Sequence, residues 1–157
     1  MINGAFTEIL LVGLAALLVV AAVIDVRTFT ISNRLNAAVA LSAPLYWMSV
    51  SLAPWPGMAI QLAAGLTVFT LLAGAFFAGM MGGGDVKLAA ALALWFSIKS
   101  TFQFLIYMSI AGGLLTLVVM VLHRMKKKPG KPEIPYGVAI ALGGLIILIQ
   151  RFLNQFA

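Results

Sequence analysis

Apolar runs about as long as a bilayer is thick recur along this chain, and they restrict its fold before any motif is read. Six can be marked: Phe6–Ile24, Leu35–Ala53, Met58–Met81, Val86–Ile98, Thr101–Leu122 and Ile134–Leu153. Crossing a hydrocarbon core of about 30 Å takes about 20 such residues as a helix. Hydrophobic residues make up 63 % of the chain and charged ones 9 %, where soluble domains carry about 25 % charged. A soluble globule could not hide that much apolar surface, so the solvent is lipid. The expectation is an all-α polytopic membrane protein, a bundle of six transmembrane helices, with residues 1–157 forming a single integral-membrane domain.

The boundaries follow from breakers and charges. Pro54-Trp55-Pro56-Gly57 forces a tight connection, with a tryptophan suited to the membrane interface. Val86–Leu122 as one helix would be 37 residues, roughly 55 Å and too long for a bilayer. Two crossings are therefore expected, divided near Lys99, with Lys87 at the near end of the short fourth one. Pro135 falls in the first turn of the sixth span, where a missing N–H does no harm. Asn33 is expected to cap the second helix. Met1–Ile9 has no basic residue ahead of its apolar run, so the first span reads as a permanent helix rather than a cleaved signal.

Arg27, Arg34, Lys87, Arg124, Lys126, Lys127, Lys128 and Lys131 fall in alternate connections, leaving only Lys99 and Arg151 on the opposite side. The positive-inside rule puts the basic connections in the cytoplasm and both termini outside it. The net charge of +6 is thus a topology signal and a contact for anionic lipid, and nucleic acid is not expected as a partner. His123 reads as interfacial, and Lys126–Lys131 as an anchor.

Chemistry concentrates in Gly82-Gly83-Gly84-Asp85-Val86-Lys87. The chain has only four acidic residues, and a carboxylate beside lipid points to function. Asp25 closes the first span at the cytoplasmic face and Asp85 opens the fourth there, at comparable depth. If these helices are neighbours, the carboxylates can face each other. A close pair shares one proton, so one member is an acid while the other is a base. That arrangement can activate water against a peptide carbonyl. Both acids could instead be solvated helix ends, and the helix dipole would favour Asp85 ionised without catalysis. With no cysteine and one histidine, neither disulfide nor thiolate metal site is available, and no metal or cofactor is expected.

The signature Gly82-Gly83-Gly84-Asp85, with Lys87 two beyond, resembles the catalytic motif of the type IV prepilin peptidases, membrane aspartic proteases of the GxGD kind. Asp25, Arg27 and Ile31-Ser32-Asn33 resemble the family's first motif, with Ser32 where many members have proline. Pro135-Tyr136-Gly137 is similar to a further family element. The order and spacing of the six spans match as well. The resemblance implies an endopeptidase that cuts the cytoplasmic leader from prepilins at the bacterial inner membrane, with Asp25 and Asp85 catalytic. It implies loop and positioning roles for Gly82, Gly83, Gly84, Lys87, Asn33, Pro135 and Gly137. Lys87 would attract an acidic residue beyond the cut or bias the pair, or serve as an anchor. Long members carry a cysteine-paired methylating domain; this chain has no cysteine and resembles the short tight-adherence (Flp-type) form, so methylation is not expected. Archaeal preflagellin peptidases share these motifs. Rival readings are a small proton- or ion-coupled transporter, which would want its acids near the midplane, and a non-catalytic scaffold.

Overall fold

The computed structural model describes residues 2–126, 130 and 132–155. Lys127, Lys128 and Lys131 of the basic anchor lie outside the described residues. The protein is an all-α polytopic membrane protein, with six helices among the described residues: α1 (Ile2–Thr28), α2 (Asn33–Ser49), α3 (Ala59–Phe77), α4 (Gly83–Ala93), α5 (Ile98–Met125) and α6 (Tyr136–Gln155). A five-residue π-type turn, Pro54–Met58, leads into α3 and leaves Trp55 exposed. Four helical stretches are long and apolar enough to cross a membrane: Gly4–Thr28, Pro54–Phe77, Ile98–Met125 and Tyr136–Asn154. Their outward faces carry large apolar side chains such as Ile9, Leu66, Phe77, Leu114 and Leu117, a surface that only lipid satisfies.

α4 is different. At 11 residues it extends only about 16 Å, and it is enclosed by protein. It packs against α2, α3 and α6, while α1 packs against α2 and α6 and α5 against α6. Val86, Leu88, Ala89, Leu92 and Ala93 are all buried; the alanines allow close helix approach where hydrophobicity supplies no drive. Leu18 of α1 and Leu92 of α4 meet across Gly144 of α6.

A helix ending inside the membrane leaves carbonyls that need donors. The Leu94 carbonyl accepts from Trp47 Nε1 at 2.7 Å and Gln61 Nε2 at 3.4 Å. Trp95 Nε1 donates to the Val39 carbonyl at 2.9 Å. Two indoles thus tie the α4–α5 connection to α2, which is why the chain can break there.

Several boundaries differ from expectation. The break falls at Leu94–Ser97, not near Lys99, because Ser97 caps α5 by accepting from the Ser100 N–H at 3.3 Å. α1 runs on through Asp25 to Thr28, with Arg27 in its last turn where a cation suits the dipole. It stops at Phe29, whose φ of 51° is left-handed and whose N–H reaches the Asp25 carbonyl at 2.8 Å. α6 begins at Tyr136, one residue after Pro135.

Trp47→Phe should lower stability by about 1 kcal/mol, and adding Gln61→Leu should take the total to about 3 kcal/mol, since the Leu94 carbonyl is then bare. Thermal unfolding in detergent reads both.

Candidate active site

The turn after α1 delivers Phe29–Ser32 across the end of the bundle, and Ile31 is the buried residue within it. Its backbone lies against Gly84: a Cβ there would sit 2.8 Å from the Ile31 carbonyl oxygen. Its side chain lies against Gly137, where a Cβ would sit 2.7 Å from Ile31 Cδ1. That same hypothetical Cβ would be 2.8 Å from Asp25 Oδ2. The chain of contact is therefore Asp25, Gly137, Ile31, Gly84 and then Asp85. Glycine at 84 and 137 is what allows four backbone segments to converge.

Both acids are almost dry, Asp25 at 2 % exposure and Asp85 at 8 %. Asp85 sits in the first turn of α4 and reaches back to accept from the Gly82 N–H at 3.2 Å. The backbone amides of Gly137 and Val138 face the Asp25 carboxyl. Asp25 Oδ2 still has no hydrogen-bond partner among the described residues. Asp85 lies outside the four spans. Burial, and then the charge of Asp25, push its carboxyl up to about 7, against the opposing pull of the Gly82 amide. Such an interaction requires the two groups to be near one another. α1 and α4 share no extended packing face; the acids approach at their ends, through the α1–α2 connection and α6.

The flanking residues divide. Asn33 is not the cap of α2: Ser32 is, its Oγ accepting from the Leu35 N–H at 3.3 Å. Asn33 Oδ1 instead accepts from Lys87 Nζ at 2.9 Å, joining the starts of α2 and α4. Gly82 is exposed, Gly83 packs on Phe76, and Pro135 is buried at the start of α6. Tyr136 packs its ring on Gly112 and meets Thr116 Oγ1 at 3.3 Å, fixing Gly137 from the α5 side. Among the described residues, no three His, Asp or Glu side chains gather as a metal site would need.

Sequence reasoning missed Asn36. It is 5 % exposed and donates from Nδ2 to the Gly84 carbonyl at 3.0 Å, pinning the glycine loop to α2, while its Oδ1 has no partner among the described residues. Its signal was available: an amide one turn beyond Asn33, beside the buried Leu35 and Val39.

Residues 12–117 match the family described as the type IV leader peptidase family, over two thirds of the chain. The chain belongs to that family. The matched stretch holds Asp25, Ile31, Asn33, Asn36 and the Gly82–Lys87 loop, and it leaves out Pro135 and Gly137. No curated protein and no solved structure matches it. The protein is thus an integral-membrane hydrolase of the leader-peptidase class, with two covered carboxyls at one end of its bundle.

An unfolded Asp85 loses its proton near 3.8 and the folded one near 7. Protonation therefore favours the fold: the stabilisation is full below about 3.8 and is lost as pH rises through 7. Asp85→Asn removes this dependence, so between pH 5 and 8 the wild-type melting temperature should fall more steeply than the variant's.

Proposed function

We propose that the peptidase cuts the leader from Flp-type prepilins with Asp25 and Asp85 acting as one acid–base pair. The observation that carries this reading is the pair of buried carboxyls at one end of the bundle, with Ile31 seated both against Gly137, beside Asp25, and against Gly84, next to Asp85. One carboxylate takes a proton from water, whose oxygen attacks the scissile carbonyl carbon. The neutral partner donates a proton to the carbonyl oxygen. As the tetrahedral species collapses, the first carboxyl passes the proton it took from water to the nitrogen, the C–N bond breaks, and the second carboxylate recovers a hydroxyl proton; the leader keeps the new carboxyl. The titration belongs to the pair, so neither acid has a fixed role.

Arg27, Arg34, Lys87, Arg124 and Lys126 lie at the end of the bundle that carries the aspartates, which by the positive-inside rule is the cytoplasmic end of an inner-membrane protein. A groove of 450 Å³ between α2, α3 and α4 opens beside the glycine loop, lined by Ala37, Ala40, Leu66 and Phe69, with Lys87 and Asn33 at its mouth. It takes the apolar segment of the precursor, and Lys87 attracts an acidic residue just past the cut. Since both acids are covered at rest, Phe29–Ser32 must lift away from Gly84 and Gly137 to admit the extended chain. The absence of cysteine supports cleavage without methylation.

Asp25→Asn and Asp85→Asn should each abolish processing of co-expressed prepilin while the protein still inserts, read by gel shift and by sequencing the new amino terminus. Full processing by either variant would remove that residue from the mechanism.

Gly137→Ala should reduce cleavage at least tenfold, because its methyl meets both Asp25 and Ile31. Gly113→Ala, where a Cβ meets nothing within 4 Å, should cleave normally in the same assay.

A further inference from the structure

At the opposite end of the bundle lies a cavity of 520 Å³ that the peptidase reaction does not use. Leu11 of α1 marks its level, 14 residues before Asp25, or about 21 Å along the helix. Arg151 on α6 stands the same number of residues beyond Gly137. The cavity is lined by Arg151, Gln103, Asn154, Ser97 and Ser100, with an apolar floor that includes Ile147.

Arg151 is held rather than free. Its Nη1 donates to Tyr46 Oη, and its guanidinium lies 5.1 Å from the centre of the Tyr46 ring. Tyr46 is buried and stacks on Trp95 at 5.1 Å, so the cation is fixed on a rigid aromatic support. Those contacts use one guanidinium donor of five. No carboxylate of the described residues forms an ion pair with it. Glu8, the acid at this end, is exposed on α1 and Lys99 is exposed on α5; neither lines the cavity. The neighbouring polar side chains are amides and hydroxyls; Ser97 caps the 28-residue α5 and Ser100 stands in its first turn, where the dipole adds positive potential.

We infer that this cavity is a binding site for a phosphate-type oxyanion, with Arg151 as its charged anchor. A fixed guanidinium with amide and hydroxyl donors around it, and no acid lining the cavity, matches a singly charged phosphodiester. The apolar floor fits the glycerol backbone and first methylenes of a phospholipid. Free phosphate offers the same oxygens without the apolar part. The inference rests on the membrane setting and holds whether or not Asp25 and Asp85 cut peptide bonds.

The test uses the full chain in neutral detergent, with thermal unfolding followed by tryptophan fluorescence. Short-chain phosphatidylglycerol, phosphatidylcholine of equal chain length and inorganic phosphate are titrated separately. Phosphatidylglycerol should stabilise saturably, and Arg151→Gln should weaken its apparent affinity at least tenfold. Arg151→Lys should weaken it by less. Gln103→Leu, which removes a donor and spares the Tyr46 contacts, should weaken it several-fold and carries the test if Arg151→Gln does not fold. Saturable stabilisation by inorganic phosphate with the same Arg151 dependence would uphold the oxyanion site and assign it to free phosphate. A saturable, Arg151-dependent response to phosphatidylcholine as well would uphold the phosphodiester site and show that it ignores the rest of the headgroup. Stabilisation that is equal in wild type and all three variants, or no saturable effect of any of the three compounds, would overturn it.

Discussion

Two carboxyl groups kept nearly out of water at one end of a lipid-embedded bundle set the terms for the rest of this molecule. Desolvating a carboxylate is unfavourable unless it is neutralised or bonded. The structure answers with backbone amides: Gly82 to Asp85, Gly137 and Val138 facing Asp25. A Cβ would crowd Asp85 at position 82, Ile31 at position 84 and both Asp25 and Ile31 at position 137, so glycine stands at all three and Ile31 fills the space between. Asn36 then holds the Gly84 carbonyl, and Lys87 with Asn33 closes the outer edge. The glycines thus act less as flexible elements than as clearances in a tight assembly.

Much of this was legible in the sequence. The six apolar runs gave the helices, and the scarcity of acids singled out Asp25 and Asp85. What remained hidden was set by tertiary partners. The break between α4 and α5 looked like a choice governed by Lys99, yet it is made at Ser97 and at the Leu94 carbonyl, whose donors lie on α2 and α3. Asn33 reads as a cap by propensity, but Ser32 takes that position and frees Asn33 for Lys87. Asn36 was visible as an amide within an apolar run, but its role depends on the Gly84 carbonyl, which only the fold brings to it. Ile31 entered only as part of a motif, and the two bare Cα positions against it, at Gly84 and Gly137, reveal it as a bridge.

The two ends of the bundle are organised on opposite principles. At one end, acidic groups are buried and covered, and the surrounding basic side chains stay at the surface. At the other, a cation is pinned by aromatic rings beside an open, donor-lined cavity. α4 connects these regions. It begins with Asp85 and ends beneath Trp47 and Trp95 without being long enough to traverse the membrane alone.

The covering of Asp25 by α6 has a consequence for biosynthesis. Gly137 stands on α6, which is synthesised well after the segments that carry Asp25 and Asp85. A growing chain that has already threaded its first five helices holds one acid without the wall that desolvates it. Assembly of the centre therefore waits for α6 to dock against α1.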